Sequence, residues 1–348
     1  MFSIRIKNKV LKFKLPAETS RGVLLDKKVW YVIIEKDGKV GIGECNPLKG
    51  LSFDDIPDFE EWLVGFAKTF ESNQEIDLDL LNAYPAMKFG FEMALKDLEH
   101  NQKCLLYPSD FTKGIRSVPI NGLVWMGDKQ FMLSQIDQKF KQGFDCIKLK
   151  IGAINFEEEL DLVKFIRDRF SPEQIELRVD ANGAFHPDEA LSKLKALSEF
   201  QIHSIEQPIK QGQWTEMSNL CKNSPIPIAL DEELIAIRDK VERMEMLQTI
   251  QPDYIILKPS LLGGFTDTDQ WIEMAESMGI KWWITSALES DIGLNAIAQY
   301  TFTKNNSLPQ GLGTGTLYTN NNPSPLFIKK GHLHLGDAQE WDLTEILS

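Results

Sequence analysis

The sequence CIKLK at residues 146–150, the helical segment that follows it, and IELRVD at residues 175–180 together decide the fold. Both short runs have the composition of β-strands. The segment between them, residues 156–170, has apolar positions at three- and four-residue steps, which predicts a helix. A strand, a helix and a second strand in this order predict two parallel neighbouring strands.

The same alternation continues towards both ends of the chain. Further strand-like runs occur at 118–121, 202–206, 226–231, 254–258 and 282–286, with a weaker one at 308–312. About eight strands that alternate with helices predict a barrel of the TIM type. Because little helical pattern follows the last run, we predict an α/β fold whose barrel has the modified form (β/α)7β.

The first hundred residues follow another pattern. Residues 29–34 give a strong strand signal, Asp37-Gly38 is typical of a hairpin turn, and 54–72 and 85–100 have helical periodicity. We therefore predict an α+β capping domain before the barrel. The predicted division is a capping domain over 1–105, joined by the C-terminal tail 325–348, and a barrel domain over 115–324.

The composition limits the classes of partner. The 348 residues include 43% hydrophobic and 26% charged residues, which is typical of a globular protein. The formal net charge of -13 disfavours nucleic acid and anionic membrane surfaces. Four widely spaced cysteines, without a signal peptide pattern at the N-terminus, predict a cytoplasmic protein. The oligomeric state is left open.

Polar residues stand at the ends of successive predicted strands. They are Lys150, Asp180, Glu206, Asp231, Lys258 and Ser286. Neighbours in this series are about 25 to 30 residues apart, which is one strand-plus-helix unit. Because active sites of such barrels lie at the carboxyl ends of the strands, these side chains are expected to converge.

Three of these residues are acids on consecutive strands, namely Asp180, Glu206 and Asp231. A single carboxylate in such a place is usually a helix cap. Three together, with a lysine on the strand at either side, predict a shared function. Because crowded carboxylates repel one another unless a cation joins them, we predict a metal site. Oxygen ligands favour Mg²⁺, with Mn²⁺ as a substitute.

The lysines suggest proton transfer at carbon. Lys148 and Lys150 are two residues apart on one strand, so their side chains share a face. A second ammonium and a nearby metal make it easier for Lys150 to lose its proton and act as a general base. Lys258 lies several strands further round and should point in from the opposite wall, as an acid or as a fixed positive charge.

Several segments in order resemble the enolase superfamily, in its muconate-lactonizing-enzyme-like branch. They are KLK at 148–150, RVDANG at 178–183, IEQP at 205–208, ALDE at 229–232, LKP at 257–259 and, in the capping domain, GIGECNPL at 41–48. The resemblance covers nearly the whole chain. It implies a small-molecule carboxylate substrate, a catalytic pair Lys150 and Lys258, and a Mg²⁺ site.

Within that branch the chain is most similar to the o-succinylbenzoate synthase family. The segments that carry this similarity are TSRG at 19–22, PING at 119–122, SALES at 286–290 and QGL at 310–312. The resemblance implies a lyase that dehydrates 2-succinyl-6-hydroxy-2,4-cyclohexadiene-1-carboxylate to o-succinylbenzoate in menaquinone biosynthesis. Lys150 would remove the proton alpha to the ring carboxylate, with a metal-stabilised enediolate as intermediate and Lys258 at its other face.

The resemblance also implies a set of substrate contacts. It assigns them to Lys148, Thr285, Ser286, Gly311 and Leu312, with Arg21 and its loop closing over the site. Thr and Ser at a strand end are also common as helix caps. Gly313 departs from the pattern, since many relatives have an acid after the Gly-Leu pair.

Two alternatives from the same branch use the same pair of lysines. They are N-acylamino-acid racemases and dipeptide epimerases. Dipeptide epimerases hold the substrate ammonium with acids after strand eight, and residues 308–317 contain none. An N-acyl substrate has no ammonium, so racemase activity stays open. A non-catalytic ligand-binding barrel is an alternative of another class, but it would be expected to have lost a lysine or a ligand.

Overall fold

The computed structural model describes residues 1–19, 22–100, 104–336 and 339–348. An antiparallel sheet of three strands begins the chain. Its strands are β1 (Phe2–Thr19), β2 (Gly22–Lys36) and β3 (Lys39–Cys45), in the order β1-β2-β3. Helices α1 (Phe59–Asn73) and α2 (Pro85–Leu98) follow.

Helix α2 packs against strand β3 with almost no space between the two backbones. A Cβ atom added to Gly43 would lie 1.8 Å from the carbonyl oxygen of Gly90, and one added to Gly41 would lie 2.1 Å from that of Ala94. Only glycine allows this approach. The contact buries the outer face of the sheet under the helices, in a core that includes Val32, Ile34, Leu63, Phe70 and Phe91.

Seven parallel strands form the second sheet, in the order β11-β10-β9-β8-β7-β6-β5. The strands are β5 (Gly122–Val124), β6 (Cys146–Lys150), β7 (Glu176–Asp180), β8 (Ser204–Glu206), β9 (Ile228–Leu230), β10 (Tyr254–Leu257) and β11 (Lys281–Ile284). The helices that connect and follow them are α3 (Lys129–Lys141), α4 (Phe156–Arg167), α5 (Pro187–Ser198), α6 (Trp214–Asn223), α7 (Glu232–Ile235), α8 (Lys240–Ile250), α9 (Pro259–Leu262), α10 (Gly264–Ser277) and α11 (Asp291–Thr303). The predicted α/β class and its parallel barrel with an N-terminal capping sheet are confirmed.

A short eighth segment closes the sheet into a barrel. Gln310 forms a parallel bridge with Ile120, and Gly311 forms one with Thr285. The N–H of Asn121 donates to the carbonyl of Gln310 over 2.9 Å, and the N–H of Gly311 donates to that of Ile284 over 2.8 Å. The predicted eighth strand at 308–312 is thus reduced to two pairing residues.

The first barrel strand lies later than the sequence predicts. The prediction places it at 118–121, whereas the parallel strand β5 is Gly122–Val124. Strand β4 (Val118–Pro119) instead pairs antiparallel with β13 (His332–Leu335), which forms a hairpin with β12 (Leu326–Lys329). Pro119 has no N–H to donate to a central ladder, which explains why this stretch is an edge.

The C-terminal tail contacts both predicted domains, so the division between them stays a prediction. Its hairpin pairs with β4, while α12 (Thr344–Leu347) lies near β1. There the ammonium of Lys9 contacts Glu345 over 2.7 Å and the side-chain oxygen of Asn322 over 2.9 Å. In the described parts of the chain, no helix has both the length and the apolar character needed to cross a membrane.

A buried arginine helps to fill the barrel below the site. Arg178 is two residues before Asp180 on β7, so both side chains point to the same face. Its guanidinium lies 4.2 Å from the centre of the Trp283 ring and donates to the carbonyl of Pro309 over 2.9 Å. The carboxylate of Glu176 lies 2.7 Å from the guanidinium. These contacts join β7 to β11 and to the residue that precedes the closing segment.

Candidate active site

The charged residues predicted from the sequence meet at the carboxyl ends of the parallel strands. Lys150, Asp180 and Glu206 are the last residues of β6, β7 and β8. They lie side by side, because Lys150 pairs in register with Asp180 and Asp180 pairs with Glu206. Asp231 and Lys258 directly follow β9 and β10. In a barrel closed by eight segments, β6 and β10 face each other, so the two lysines approach from opposite walls.

Lysine ammonium groups lie between the carboxylates. The Nζ atom of Lys148 is 2.9 Å from Oδ2 of Asp180 and 2.8 Å from Oε2 of Glu206. The Nζ atom of Lys150 donates to the same Asp180 oxygen over 2.9 Å and to Oδ1 of Asn182 over 2.5 Å. Lys258 contacts Oδ2 of Asp231. Each of the three carboxylates therefore has a lysine as a direct partner.

Two carboxylate oxygens remain available for another ligand. No described residue donates a hydrogen bond to the buried Oε1 of Glu206 or to the buried Oδ1 of Asp231. Leaving such oxygens unsatisfied away from water is costly, more so for charged groups. A cation would satisfy both, and an all-oxygen set of Asp180, Glu206 and Asp231 suits a hard divalent ion. The residues present therefore fit a metal ion of this kind.

The described residues include no group of three or more His, Cys, Asp or Glu side chains arranged to hold an ion as they stand. The lysine contacts explain this. Lys148 lies between Asp180 and Glu206, and Lys258 binds Asp231, so the ammonium groups take positions between the acids. Metal binding would require the lysine side chains to withdraw, which their long flexible chains permit.

The electrostatics of the site are those of buried, mutually dependent charges. Burial and the neighbouring Asp180 raise the pKa of Glu206 well above its ordinary value. Burial also opposes ionisation of Asp180, but Lys148 and Lys150 outweigh it and lower the pKa of this acid. For Lys258, burial opposes the charged form, but Asp231 outweighs it and raises the pKa. The charge of each group in the cluster therefore depends on the charged groups beside it.

A cavity of about 90 Å³ opens above these charges. The capping domain contributes Leu48 and Leu51 to its wall, and the barrel contributes Leu123, Trp125 and Leu288, among others. A charged floor beneath a mainly apolar wall suits a molecule that has both a carboxylate and an apolar hydrocarbon part.

The predicted substrate contacts divide into several groups. Thr285, Ser286 and Gly311 line the cavity, as does Lys148. Both hydroxyls have partners, since Thr285 donates to the Gly311 carbonyl over 2.9 Å and Ser286 shares a hydrogen bond with Thr314 over 2.7 Å. Leu312 is not among the described residues that line the cavity, so its predicted contact with the substrate stays a prediction. Its side chain is fully buried in the hydrophobic core, because it points to the opposite side of the closing segment from Gly311.

Arg21 lies outside the described residues. Other cavity residues carried no predicted role. Asn182 bonds Lys150 and also donates to Glu232 over 2.9 Å. The Asp-x-Asn spacing after β7 is the sequence signal that could have revealed it. Trp125 directly follows β5, so the correct position of the first barrel strand would have placed it at the mouth.

Comparisons with known proteins agree with this architecture. A family model described as "Enolase C-terminal domain-like" matches residues 132–339. An o-succinylbenzoate synthase of Desulfotalea psychrophila is 48% identical, over 93% of this chain and 96% of the relative. A crystal structure of MenC from Desulfotalea psychrophila superposes with a TM-score of 0.82 at 43% identity, covering 96% of this chain and 99% of that one.

A more distant structure shares the fold alone. It is the dipeptide epimerase of Enterococcus faecalis in complex with Mg and the dipeptide L-Leu-L-Tyr, with a TM-score of 0.83 at 23% identity. The alignment covers 97% of each chain. Fold, family match and the grouped acids and lysines together identify an enzyme of the enolase type. The chain belongs to the o-succinylbenzoate synthase family of the enolase superfamily.

Proposed function

We propose that this enzyme dehydrates 2-succinyl-6-hydroxy-2,4-cyclohexadiene-1-carboxylate to o-succinylbenzoate, a step of menaquinone biosynthesis. The observation that carries the proposal is the arrangement of Lys150 and Lys258 on opposite walls, with Asp180, Glu206 and Asp231 between them. Such a site can remove a proton next to a carboxylate and stabilise the charge that results. The 48% identity to the Desulfotalea psychrophila synthase supports this choice of substrate.

Lys150 is the proposed general base. Its Nζ atom is held by Asp180 and Asn182, and it lines the cavity. As a neutral amine it would take the proton from the ring carbon that bears the carboxylate. The electron pair of that C–H bond then forms a ring double bond as the hydroxyl leaves the neighbouring carbon. Proton and hydroxyl leave as water, and aromatisation of the ring favours the reaction.

Lys258 is the proposed electrostatic partner on the opposite wall. Asp231 fixes its side chain and keeps it charged, because the carboxylate raises the lysine pKa. A fixed ammonium beside the substrate carboxylate stabilises negative charge as it develops there, without any reorganisation of solvent. Lys148 lies between Asp180 and Glu206 and, once it withdraws from the ligand positions, would contact the same end of the substrate.

The proposed metal ligands are Asp180, Glu206 and Asp231, and the proposed ion is Mg²⁺, for which Mn²⁺ can substitute. When bound, the ion would supply positive charge to the carboxylate oxygens of the substrate. The three acids and the three lysines carry equal and opposite formal charges. A divalent ion would add positive charge to the floor of the cavity, which favours binding of a dicarboxylate.

The remaining wall is the proposed site for the succinyl arm. Thr285, Ser286 and Gly311 lie where β11 meets the closing segment, and Arg21 is a proposed contact from the capping side. The partner is thus a small-molecule carboxylate. We further infer a cytoplasmic location, because Cys45, Cys146 and Cys221 carry free thiols.

Racemisation of N-acylamino acids is the second candidate, because two lysines on opposite walls can serve both faces of an alpha carbon. Dipeptide epimerisation is less suited, since residues 308–317 contain no acid to hold a substrate ammonium. A barrel that only binds ligand would not need both lysines. These candidates differ in what they do to substrate, so one assay series separates them.

The decisive experiment follows the ultraviolet absorbance of the cyclohexadiene substrate as the ring aromatises, with purified enzyme and Mg²⁺. We expect turnover that EDTA abolishes and that added Mg²⁺ restores. Absence of turnover with Mg²⁺ present would reject the dehydratase. Loss of optical rotation of N-succinyl amino acids would then identify a racemase, and no reaction in either assay would favour the non-catalytic barrel.

A further inference from the structure

A second group of buried charges lies between the capping sheet and the barrel, away from the catalytic residues. It consists of Lys27 on β2, Glu44 on β3 and Glu289 after β11. Lys27 is 5% exposed and the two glutamates are fully buried. Because buried charges are expensive, each needs a partner or a task. The mechanism proposed above uses none of them.

Lys27 reaches across the domain interface to the wall of the catalytic cavity. Its Nζ atom donates to the carbonyl oxygen of Ala287 over 2.6 Å and to that of Leu288 over 3.1 Å. Asn46 donates to the Ala287 carbonyl over 3.0 Å, and the Tyr318 hydroxyl donates to the Leu288 carbonyl over 2.7 Å. Ala287 and Leu288 both line the cavity. The capping sheet thus holds two consecutive carbonyls of the cavity wall.

The two glutamates fix the same segment from other directions. Glu289 accepts from the N–H of Ala287 over 2.7 Å and from the hydroxyl of Ser260 over 2.5 Å. Ser260 lies in α9, two residues after Lys258. Glu44 accepts from the N–H and the hydroxyl of Ser290, over 2.9 Å and 2.5 Å. Segment 287–290 is therefore tied to β2, β3 and α9 at once.

The segment needs such support because its backbone is strained. Leu288 has a φ of +65°, a conformation that residues with branched side chains rarely adopt. Strained residues persist where the surroundings hold them, and they cluster at functional sites. Burial lowers the pKa of Lys27 to about 8, an effect that Glu289 and Glu44 oppose. Burial of this amine is costly, and the hydrogen bonds that it donates to the carbonyls of Ala287 and Leu288 offset part of the cost.

We propose that Lys27 is a positioning residue for substrate binding, which holds the Ala287–Leu288 wall against the substrate through the two carbonyls. The proposal rests on the function given above, because it takes this cavity as the substrate site. It implies that the capping sheet contributes to affinity without touching substrate. The metal site, which lies on other strands, does not depend on Lys27.

The test compares Lys27→Met with Lys28→Met. Lys28 is the next residue on β2, but its side chain is 43% exposed and bonds Glu60. We expect Lys27→Met to raise KM about tenfold while kcat changes less than about threefold, with Mg²⁺ affinity unchanged. Lys28→Met should match wild type. Lys27→Arg, which keeps donors for the carbonyls, should restore most of the lost affinity.

A second readout does not require turnover. Hydrogen exchange measured by mass spectrometry should show faster exchange over residues 286–290 in Lys27→Met, with the strands that carry the proposed metal ligands unchanged. Should Lys27→Met fold poorly, Tyr318→Phe removes one donor from the same wall and should give a smaller change in the same direction. Unchanged exchange over this segment, or kcat and Mg²⁺ affinity falling with KM constant, would overturn the proposal. If the wild type shows no turnover but Lys27→Met still exchanges faster over residues 286–290, the proposed dehydratase function is rejected and the role of Lys27 in holding this wall is supported.

Discussion

The ammonium nitrogen of Lys150 lies 2.9 Å from Oδ2 of Asp180, the residue paired with it in register on the neighbouring strand. The proposed base and a proposed metal ligand are therefore direct neighbours. A cation bound by Asp180 would compete with the lysine for this carboxylate. The proposed metal ion and the proposed base would therefore share one carboxylate as a partner.

Replacing Lys150 by Ala should abolish dehydration, since the other described lysines that line the cavity are Lys148, which lies deeper on β6, and Lys258, which lies on the opposite wall. We expect a loss in kcat of at least about 100-fold, the usual contribution of a general base. Steady-state kinetics with saturating Mg²⁺ would measure it. Lys210→Ala, at an exposed position, is the control and should behave as wild type. Turnover unchanged in Lys150→Ala would mean that another group is the base.

Replacing Glu206 by Gln should weaken Mg²⁺ binding, because it removes one of the buried carboxylates with an unsatisfied oxygen. Mg²⁺ at about 100 times its Kd should stabilise the wild-type fold by about 2.7 kcal/mol, so thermal unfolding in EDTA and in Mg²⁺ gives a direct measure. The variant should show little shift between the two conditions. Glu216→Gln, at an exposed position of helix α6, should keep the full shift. An equal shift in Glu206→Gln would remove Glu206 from the ligand set.

Much of the barrel could be predicted because buried parallel strands are short apolar runs that end in a polar group. The prediction of a strand at 146–150 agrees with β6, and Asp180 and Glu206 end β7 and β8 as expected. The spacing of the strand ends predicts which side chains meet, since one repeat returns the chain to the same end of the sheet. The family resemblance then supplied a substrate, which spacing alone cannot define.

The features that the sequence did not predict depend on which distant segments pair with each other, and such pairing leaves little trace in the sequence. The closing segment forms single bridges at Gln310 and Gly311, and two residues give no periodicity from which the direction of Leu312 could be read. Residues 118–124 form one extended stretch whose two halves pair with different partners, so the start of the first barrel strand was misplaced. Lys27 has the pattern of an ordinary polar residue of a strand, because its carbonyl partners are 260 and 261 residues away in the sequence.

Two nearby glycines should respond differently to substitution by alanine. A Cβ atom on Gly311 would lie 2.0 Å from Oγ1 of Thr285, whereas the nearest atom to one on Gly313 is the carbonyl oxygen of Asn121 at 3.6 Å. Gly311→Ala should therefore push the closing segment away from β11 and cost about 1–3 kcal/mol, measured by urea unfolding. Gly313→Ala should stay within about 0.5 kcal/mol of wild type. Equal stability of the two variants would contradict the tight contact.

Asp54 is a buried acid in the loop between β3 and α1. Its side chain is 1% exposed, and Oδ2 accepts from the N–H of Ala86 over 2.8 Å. No described residue donates to the buried Oδ1 atom. Burial raises the pKa of Asp54 from 3.8 to about 7, with the N–H of Ala86 opposing part of this effect. The folded protein therefore keeps a proton on Asp54 at a pH where the unfolded chain has lost it.

The stability of the fold should depend on pH through this proton. Between about pH 4 and pH 7 the folded state binds more protons at Asp54 than the unfolded state, so this contribution falls as the pH rises, by up to about 1.4 kcal/mol per pH unit. Asp54→Asn has no such proton, and its stability relative to wild type should increase across that window and level off above pH 7. Urea unfolding of both proteins at several pH values measures the difference. A difference that stays constant with pH would show that Asp54 ionises in the fold as readily as in the unfolded chain.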